Sequence, residues 1–242
     1  FQLHMMPNRT SDTWKPKAES WYYLEDGLLT YGIKPGASLE SYKACCVRID
    51  AFMAQSSADI QSKKITRDEA LIKSAAYIAT ENPWQYVNVI EAQKHDLIDL
   101  SGGGLHHSWE EDEVKCPMGN VIYEVQQDVM DPVSTIRSFD QGKIREDGSI
   151  RTIAIDDYFT YLDTDPTRND IGSARRQLQG TNALKTVHYA MDVIPVSITY
   201  TDKIDQSFVH VYVRDGEVSV TAGSGSVHLT RGSSCFIPAA VG

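Results

Sequence analysis

One block of this 242-residue chain breaks the rhythm of the rest, and it restricts the fold more than any other feature. From Leu39 to about Gln61, the residues Leu39, Tyr42, Cys46, Ile49 and Met53 recur at helical spacing. A second helix is expected after "TRDE", where Thr66 and Glu69 form a capping-box pattern and Asn82-Pro83 closes the run. Elsewhere the chain reads as short strands separated by Gly and Asp turns. "ESWYYLEDGLLTYGI" (19–33) reads as two paired strands around an Asp-Gly turn. "QYVNVIEA", "DLIDLS", "NVIYEVQQ", "VSTIRSFD" and "IRTIAIDDYFTYL" follow in the same manner, and a polar stretch over 163–181 reads as a connection. Strand signals then return through "LKTVHYAMDVIPVSITYT", "SFVHVYVRDGEVSVTAG", "SVHLT" and "SCFIPA". Strand–turn repetition on both sides of one helical block predicts a mainly β sandwich or barrel with a helical insertion.

The formal net charge of −10 argues against broad nucleic-acid binding, which needs a basic surface. It leaves room for an anionic small substrate, because a few basic side chains in a cleft dominate locally. No apolar run approaches the roughly 20 residues that span a bilayer, and no signal peptide is visible. The four cysteines, Cys45, Cys46, Cys116 and Cys235, form no CxxC pair, and the vicinal pair sits on an expected helix. A reducing, cytoplasmic setting is expected. No GxGxxG follows a strand, there is no P-loop, and "GGGL" lacks dinucleotide spacing. Phe1 opens what reads as mid-strand, so the expectation is an interior portion of a longer chain, with strands missing at both ends.

Three pieces carry metal-ligand types. In "FQLHMMP", Gln2 and His4 stand two apart, so a strand would turn both to one face. In "KPKAESWYY", Lys17 and Glu19 share that period. "LSGGGLHHSWEEDEVKCPMGNVIYEVQQ" (100–127) sets His106 and His107 after a glycine run, and places Glu124 in an otherwise apolar strand. Imidazole nitrogen with carboxylate and amide oxygen suits zinc. Each piece alone also reads as a core histidine or a strand-edge acid, and either histidine of the pair could be the ligand, with His106 in better phase.

In order along the chain, "FQLH", "KAESWYYL…TYG", "SGGGLHH", "YEVQQDVMD" and "TIRSFDQGK" resemble the type I mannose-6-phosphate isomerases of the cupin superfamily. The resemblance covers roughly residues 1–160, and "LTRGSSCFIPA" resembles a second, metal-free cupin strand pair. It implies a cupin-type β-barrel or jelly roll over 1–36 and 85–165, a helical insertion over 37–84, and a smaller cupin-like domain over 166–242. It implies one Zn2+ per chain held by Gln2, His4, Glu19 and His106. Glu124 is implied as a carboxylate in the substrate cleft, with Arg137, Lys143 and Lys17 binding or polarising a sugar phosphate.

The implied reaction interconverts mannose 6-phosphate and fructose 6-phosphate by moving a proton between C2 and C1 through an enediol. Glu124 is the expected acid/base, since an apolar strand would raise its pKa. Arg137 and Lys143 are the expected phosphate ligands, against a reading in which they form surface salt bridges with Asp140 or Asp147. The alternative is a non-catalytic metal-binding cupin that senses sugars or stores metal. A small-molecule partner is expected, with no nucleic acid or membrane, and a homo-oligomer is left open. The insertion "SWEEDEVKCPM" is expected to place its acidic run in a solvated loop over the cleft mouth, and His107 is expected to point away from the ion.

Overall fold

The glycine run and the strands around it organise two facing sheets, seen in a computed structural model that describes residues 1–108, 116–177, 181–203 and 207–239. The acidic run at 110–113 lies outside the described residues. The fold is mainly β with antiparallel pairing throughout. The first sheet contains β1 (Gln2–His4), β3 (Gly27–Ile33), β4 (Val87–Ala92), β6 (Gly104–Ser108) and β8 (Ile136–Arg137), in the order β4-β3-β6-β1-β8. The second contains β2 (Glu19–Tyr23), β5 (Leu97–Asp99), β7 (Ile122–Gln126) and β9 (Arg175–Arg176), in the order β7-β2-β5-β9. Trp21 and Tyr23 of β2 and Ile98 of β5 pack against Leu29 and Tyr31 of β3 and Ala92 of β4, so the two sheets bury their inner faces together.

The opposite face of the first sheet is covered by helices. The long helix α1 (Leu39–Gln61) is capped by Ser38, whose side chain accepts a hydrogen bond from the Ser41 amide. Helix α2 (Arg67–Glu81) carries the expected capping box between Thr66 and Glu69, and ends at Asn82 in the left-handed region before Pro83. Tyr42, Cys46, Ile49 and Met53 of α1 form one core with Phe1, Leu3, Leu105 and Ile136 of the sheet. Strand alternation thus sends Leu3, Leu105 and Ile136 to the helices, and their neighbours to the other sheet.

The structure corrects two expectations about strands. The strands of 19–33 are not paired: β2 and β3 lie in different sheets, and the Asp26-Gly27 turn carries the chain across the sandwich. Their aromatic and branched residues face one another through the core instead of lying side by side. The segment 150–162, expected as a strand, contains a helix (Ile155–Tyr161). Tyr158 and Leu162, four apart, bury one stripe against α1, where the Tyr158 and Tyr42 hydroxyls are 3.0 Å apart.

By its internal packing the chain divides into two compact units, Phe1–Val193 and Ile194–Gly242. Strands β10 (Asn182–Lys185) and β11 (Ala190–Asp192) belong to the first unit, where Leu184 and Met191 pack with Tyr22 and Leu97 on the outer face of the second sheet. The residues 166–193 therefore pack with the first sandwich. The second unit contains β12 (Val209–Tyr212) paired with β15 (Ser234–Ile237), and the hairpin of β13 (Glu217–Ala222) with β14 (Gly225–Thr230). No helix among the described residues is long and apolar enough to cross a membrane, and all four cysteines are free thiols.

Leu105 is 2% exposed, directly beside His106 but on the helix-facing side. Leu105→Ala should cost about 2–5 kcal/mol by combining lost burial with a cavity. Urea denaturation measures it, and a loss below about 1 kcal/mol would show that the helical layer closes over the gap.

Candidate metal centre

Register fixes which side chains meet. Directly opposed residues of antiparallel strands share a face. Gln2 lies opposite both His106 and Arg137, and His4 lies opposite Gly104. Gln2, His4, His106 and Arg137 are therefore on the inner face of the first sheet. On β2, Glu19 lies opposite Gln126, and Trp21 lies opposite Glu124. Since Trp21 packs into the core between the sheets, Glu19 and Glu124 share its inward face.

His4 and His106 are completely buried, and Glu19 is 2% exposed. The imidazole Nε2 atoms of His4 and His106 lie 2.9 and 3.0 Å from the two carboxylate oxygens of Glu19. All three ligand atoms fall within 4.8 Å of one another. Gln2 joins them through its amide, 3.4 Å from Nε2 of His106. A half-turn of that amide presents its oxygen in place of its nitrogen. Lys17 is nearly buried, and its Nζ lies 3.1 Å from Glu19 Oε2.

The hydrogen bonds on the far sides of the imidazoles show what this cluster needs. Nδ1 of His4 is 2.8 Å from the Ser134 carbonyl, and Nδ1 of His106 is 2.9 Å from the Gly104 carbonyl. A carbonyl only accepts, so each Nδ1 must carry the proton and donate. In the neutral rings both Nε2 atoms are then lone pairs aimed at a carboxylate, which also only accepts. Burial pushes the His4 pKa down against the pull of its Glu19 partner, so that ring resists taking a second proton. Burial alone would raise Glu19, but an imidazolium in either neighbouring ring, His106 foremost, holds the carboxyl well below the usual carboxylate range, so the carboxylate draws positive charge to this site. Three converging ligand atoms in a dry site can hold a cation beside the Lys17 ammonium, and the two nitrogens, one carboxylate and nearby amide match a divalent transition metal such as zinc. The residues present fit that ion.

The glycine bend places His106. Gly103 and Gly104 have φ of +77° and +101°, a region that side chains rarely enter. A Cβ on Gly103 would sit 2.7 Å from the His4 carbonyl oxygen. The bend thus brings the backbone of 103 against β1, and delivers His106 to the inner face. His107, one residue on, lies opposite Thr30 and faces the helical layer, with its ring edge-on to Phe1 at 6.0 Å. Burial pushes its pKa down to about 2.

The remaining residues singled out in the sequence divide into two groups. Glu124 is open to solvent beside the buried cluster; desolvation of its carboxyl and the neighbouring Glu19 charge raise its pKa. Arg137 is on the inner face, but its ion pair is with Asp131, not with Asp140 or Asp147. Asp140 pairs with Arg151, and Asp147 accepts from the Ser149 amide. Lys143 is exposed on the turn that follows Asp140, and its charge acts on His107 and the Phe1 amine, on the helix-facing side. Sequence reasoning does not find Asp131 or the carbonyl of Ser134. The signal available is the Asp-Pro pair at 131–132, a helix-start pattern shortly before Arg137.

His106→Ala should strip a bound divalent ion, whereas His107→Ala should retain it at the parent's stoichiometry. Metal analysis of the purified variants decides between them, and the opposite pattern would place the ligand on the wrong histidine.

No family model matches the sequence, and no curated protein matches it. Solved structures do. The mannose 6-phosphate isomerase of Bacillus subtilis superposes with a TM-score of 0.56 at 14% identity, covering 99% of this chain and 65% of that one. A phosphomannose isomerase mutant from Salmonella typhimurium gives a TM-score of 0.54 at 12% identity, covering 94% and 63%. A zinc-bound mannose 6-phosphate isomerase gives 0.56 at 12%, covering 100% and 71%. The chain spans less than two thirds of the length of the first two. It has the fold of mannose 6-phosphate isomerases.

Proposed function

We propose that this chain is the metal-binding portion of an aldose–ketose isomerase that interconverts mannose 6-phosphate and fructose 6-phosphate. The observation that carries the reading is the acceptor-only cluster of His4, Glu19 and His106, set on the same inner surface as Glu124 and Arg137. The likeness in fold to zinc-bound isomerases supports it. In this reading His4, Glu19, His106 and Gln2 hold one zinc ion, which supplies Lewis acidity for the charge that develops on the sugar oxygens.

The chain's own residues then take separate roles. Isomerisation needs a base to remove a proton at one of C1 and C2 and return it at the other. Glu124 serves as that base, because its carboxyl is open to a substrate and its raised pKa makes it a better proton acceptor than an ordinary glutamate. Lys17, held by Glu19, presents an ammonium group beside the cluster and polarises a substrate oxygen. Arg137 grips the phosphate, since a planar guanidinium can make two parallel hydrogen bonds to it. The direct test is zinc-dependent formation of fructose 6-phosphate from mannose 6-phosphate by the full-length protein. No turnover with zinc bound would refute the reading.

Glu124→Gln should keep its metal and lose roughly 10²–10⁴-fold in kcat. In the parent enzyme the active base is the deprotonated form, so the rate should fall as pH drops through a value above the ordinary 4.5. Full activity in the glutamine variant would move the proton transfer elsewhere. Arg137→Ala should raise KM for the phosphorylated sugar at least tenfold while leaving metal content unchanged, the expected loss of a charge-assisted pair. Equal KM values would remove Arg137 from the phosphate site.

A further inference from the structure

Arg137 does not wait for substrate as a bare cation. Its Nη2 straddles the carboxylate of Asp131, 3.1 Å from one oxygen and 3.3 Å from the other. Asp131 opens a short turn of helix (Asp131–Ser134), and Thr135 Oγ1 donates to its Oδ1 at 2.5 Å. Burial alone would raise the Asp131 carboxyl, but the Thr135 hydroxyl, Arg137 and Lys17 together hold it below the usual range, so it is an anion at neutral pH. Lys17 in turn is paired with Glu19. The charges therefore alternate from the metal centre outward: Glu19, Lys17, Asp131, Arg137.

The two ends of the outer pair differ in freedom. The Arg137 side chain is 17% exposed, whereas that of Asp131 is 56% exposed. The exposed carboxylate can turn out into water, exchanging its Thr135 and Arg137 contacts for solvent, while the guanidinium stays where the strand holds it. The pair uses one guanidinium nitrogen, not the two-nitrogen fork that a phosphate can engage.

We propose that Asp131 is a specificity-determining residue that acts as a built-in competitor for Arg137, so that only an anion of higher charge, such as a phosphate monoester dianion, displaces it. The inference rests on the reading of Arg137 as the phosphate ligand. A neutral sugar or a single carboxylate gains nothing from the exchange, because it replaces one monoanion with a weaker or equal partner. Removing the competitor should tighten phosphate binding and relax that selectivity, without touching the reacting carbons.

The test uses the zinc-loaded full chain, with calorimetric titration of inorganic phosphate and steady-state kinetics on mannose 6-phosphate. Asp131→Asn should lower both the Kd for phosphate and the KM on the order of fivefold, the worth of an ordinary partly exposed ion pair, with kcat changed less than twofold. Asp131→Ser is the second variant, should the first lose metal or fold poorly. In an Arg137→Gln background the same substitution should give no gain. Unchanged or weaker phosphate binding in both Asp131 variants overturns the proposal, as does a gain that persists without Arg137. If the parent turns over no sugar phosphate, the isomerase reading fails on its own. The phosphate titration still decides the role of Asp131, and absence of phosphate binding by parent and variants alike overturns it.

Discussion

The Glu19 carboxylate belongs to one sheet, and the two imidazoles that touch it belong to the other. That contact is polar and buried, yet it lies between two sheets that otherwise bury an apolar cluster between their inner faces. A buried carboxylate without compensation costs several kcal/mol, more than any single neighbouring side chain contributes by packing. Lys17 meets part of this cost with one charge, whereas the Ser134 and Gly104 carbonyls fix both rings in the tautomer that leaves Nε2 bare, which adds to the demand for positive charge. The three acceptors that converge there can hold a further cation. The donor set, more than the resemblance in fold, is the reason to read the centre as a metal site.

The helical block makes this arrangement possible by taking the opposite face of the same strands. Alternation along β1 and β6 gives Leu3 and Leu105 to the helices and His4 and His106 to the facing sheet. Each strand is therefore anchored on one side by a dense apolar core and is free to carry ligands on the other. Tyr42 and Tyr158, both buried, tie the helices to one another by their hydroxyls as well as their rings. A ligand strand held this way loses little further freedom when it grips an ion, which favours binding by pre-organisation.

Much of this is legible in the amino-acid sequence. The α1 stripe, the capping box at Thr66 and Glu69 and the phase that separates His106 from His107 are local patterns. Each is fixed by neighbours within a few residues. The errors lie where tertiary placement decides. "ESWYYLEDGLLTYGI" has the composition of a hairpin, but whether two adjacent strands pair or face each other across a core depends on partners far along the chain: β5 and β7 for one, β4 and β6 for the other. The segment 155–161 carries strand-type residues, and only its packing against α1 selects the helix. Asp131 is hidden from sequence reasoning for a similar reason. Its spacing from Arg137 is one that no regular element brings into contact, and a short helical turn closes the distance.

The adjacent histidines show how far one strand can separate two environments. His106 and His107 are neighbours in the chain and face opposite sides of the same sheet. One ring meets a carboxylate and two further polar groups, whereas the other meets Phe1 and the helical layer. The first is fully buried and the second partly, and only the first has a reason to hold a cation. Because its partners span two sheets, an ion bound there stabilises the sandwich itself: at a free concentration roughly 100 times Kd, binding adds about 2.7 kcal/mol to folding. That falls within the range of about 2–5 kcal/mol for truncating a core leucine. A bound metal and core packing would thus be comparable terms, and the glycine bend that joins Gly103 to β1 serves both, since it seats Leu105 in one layer and His106 in the other.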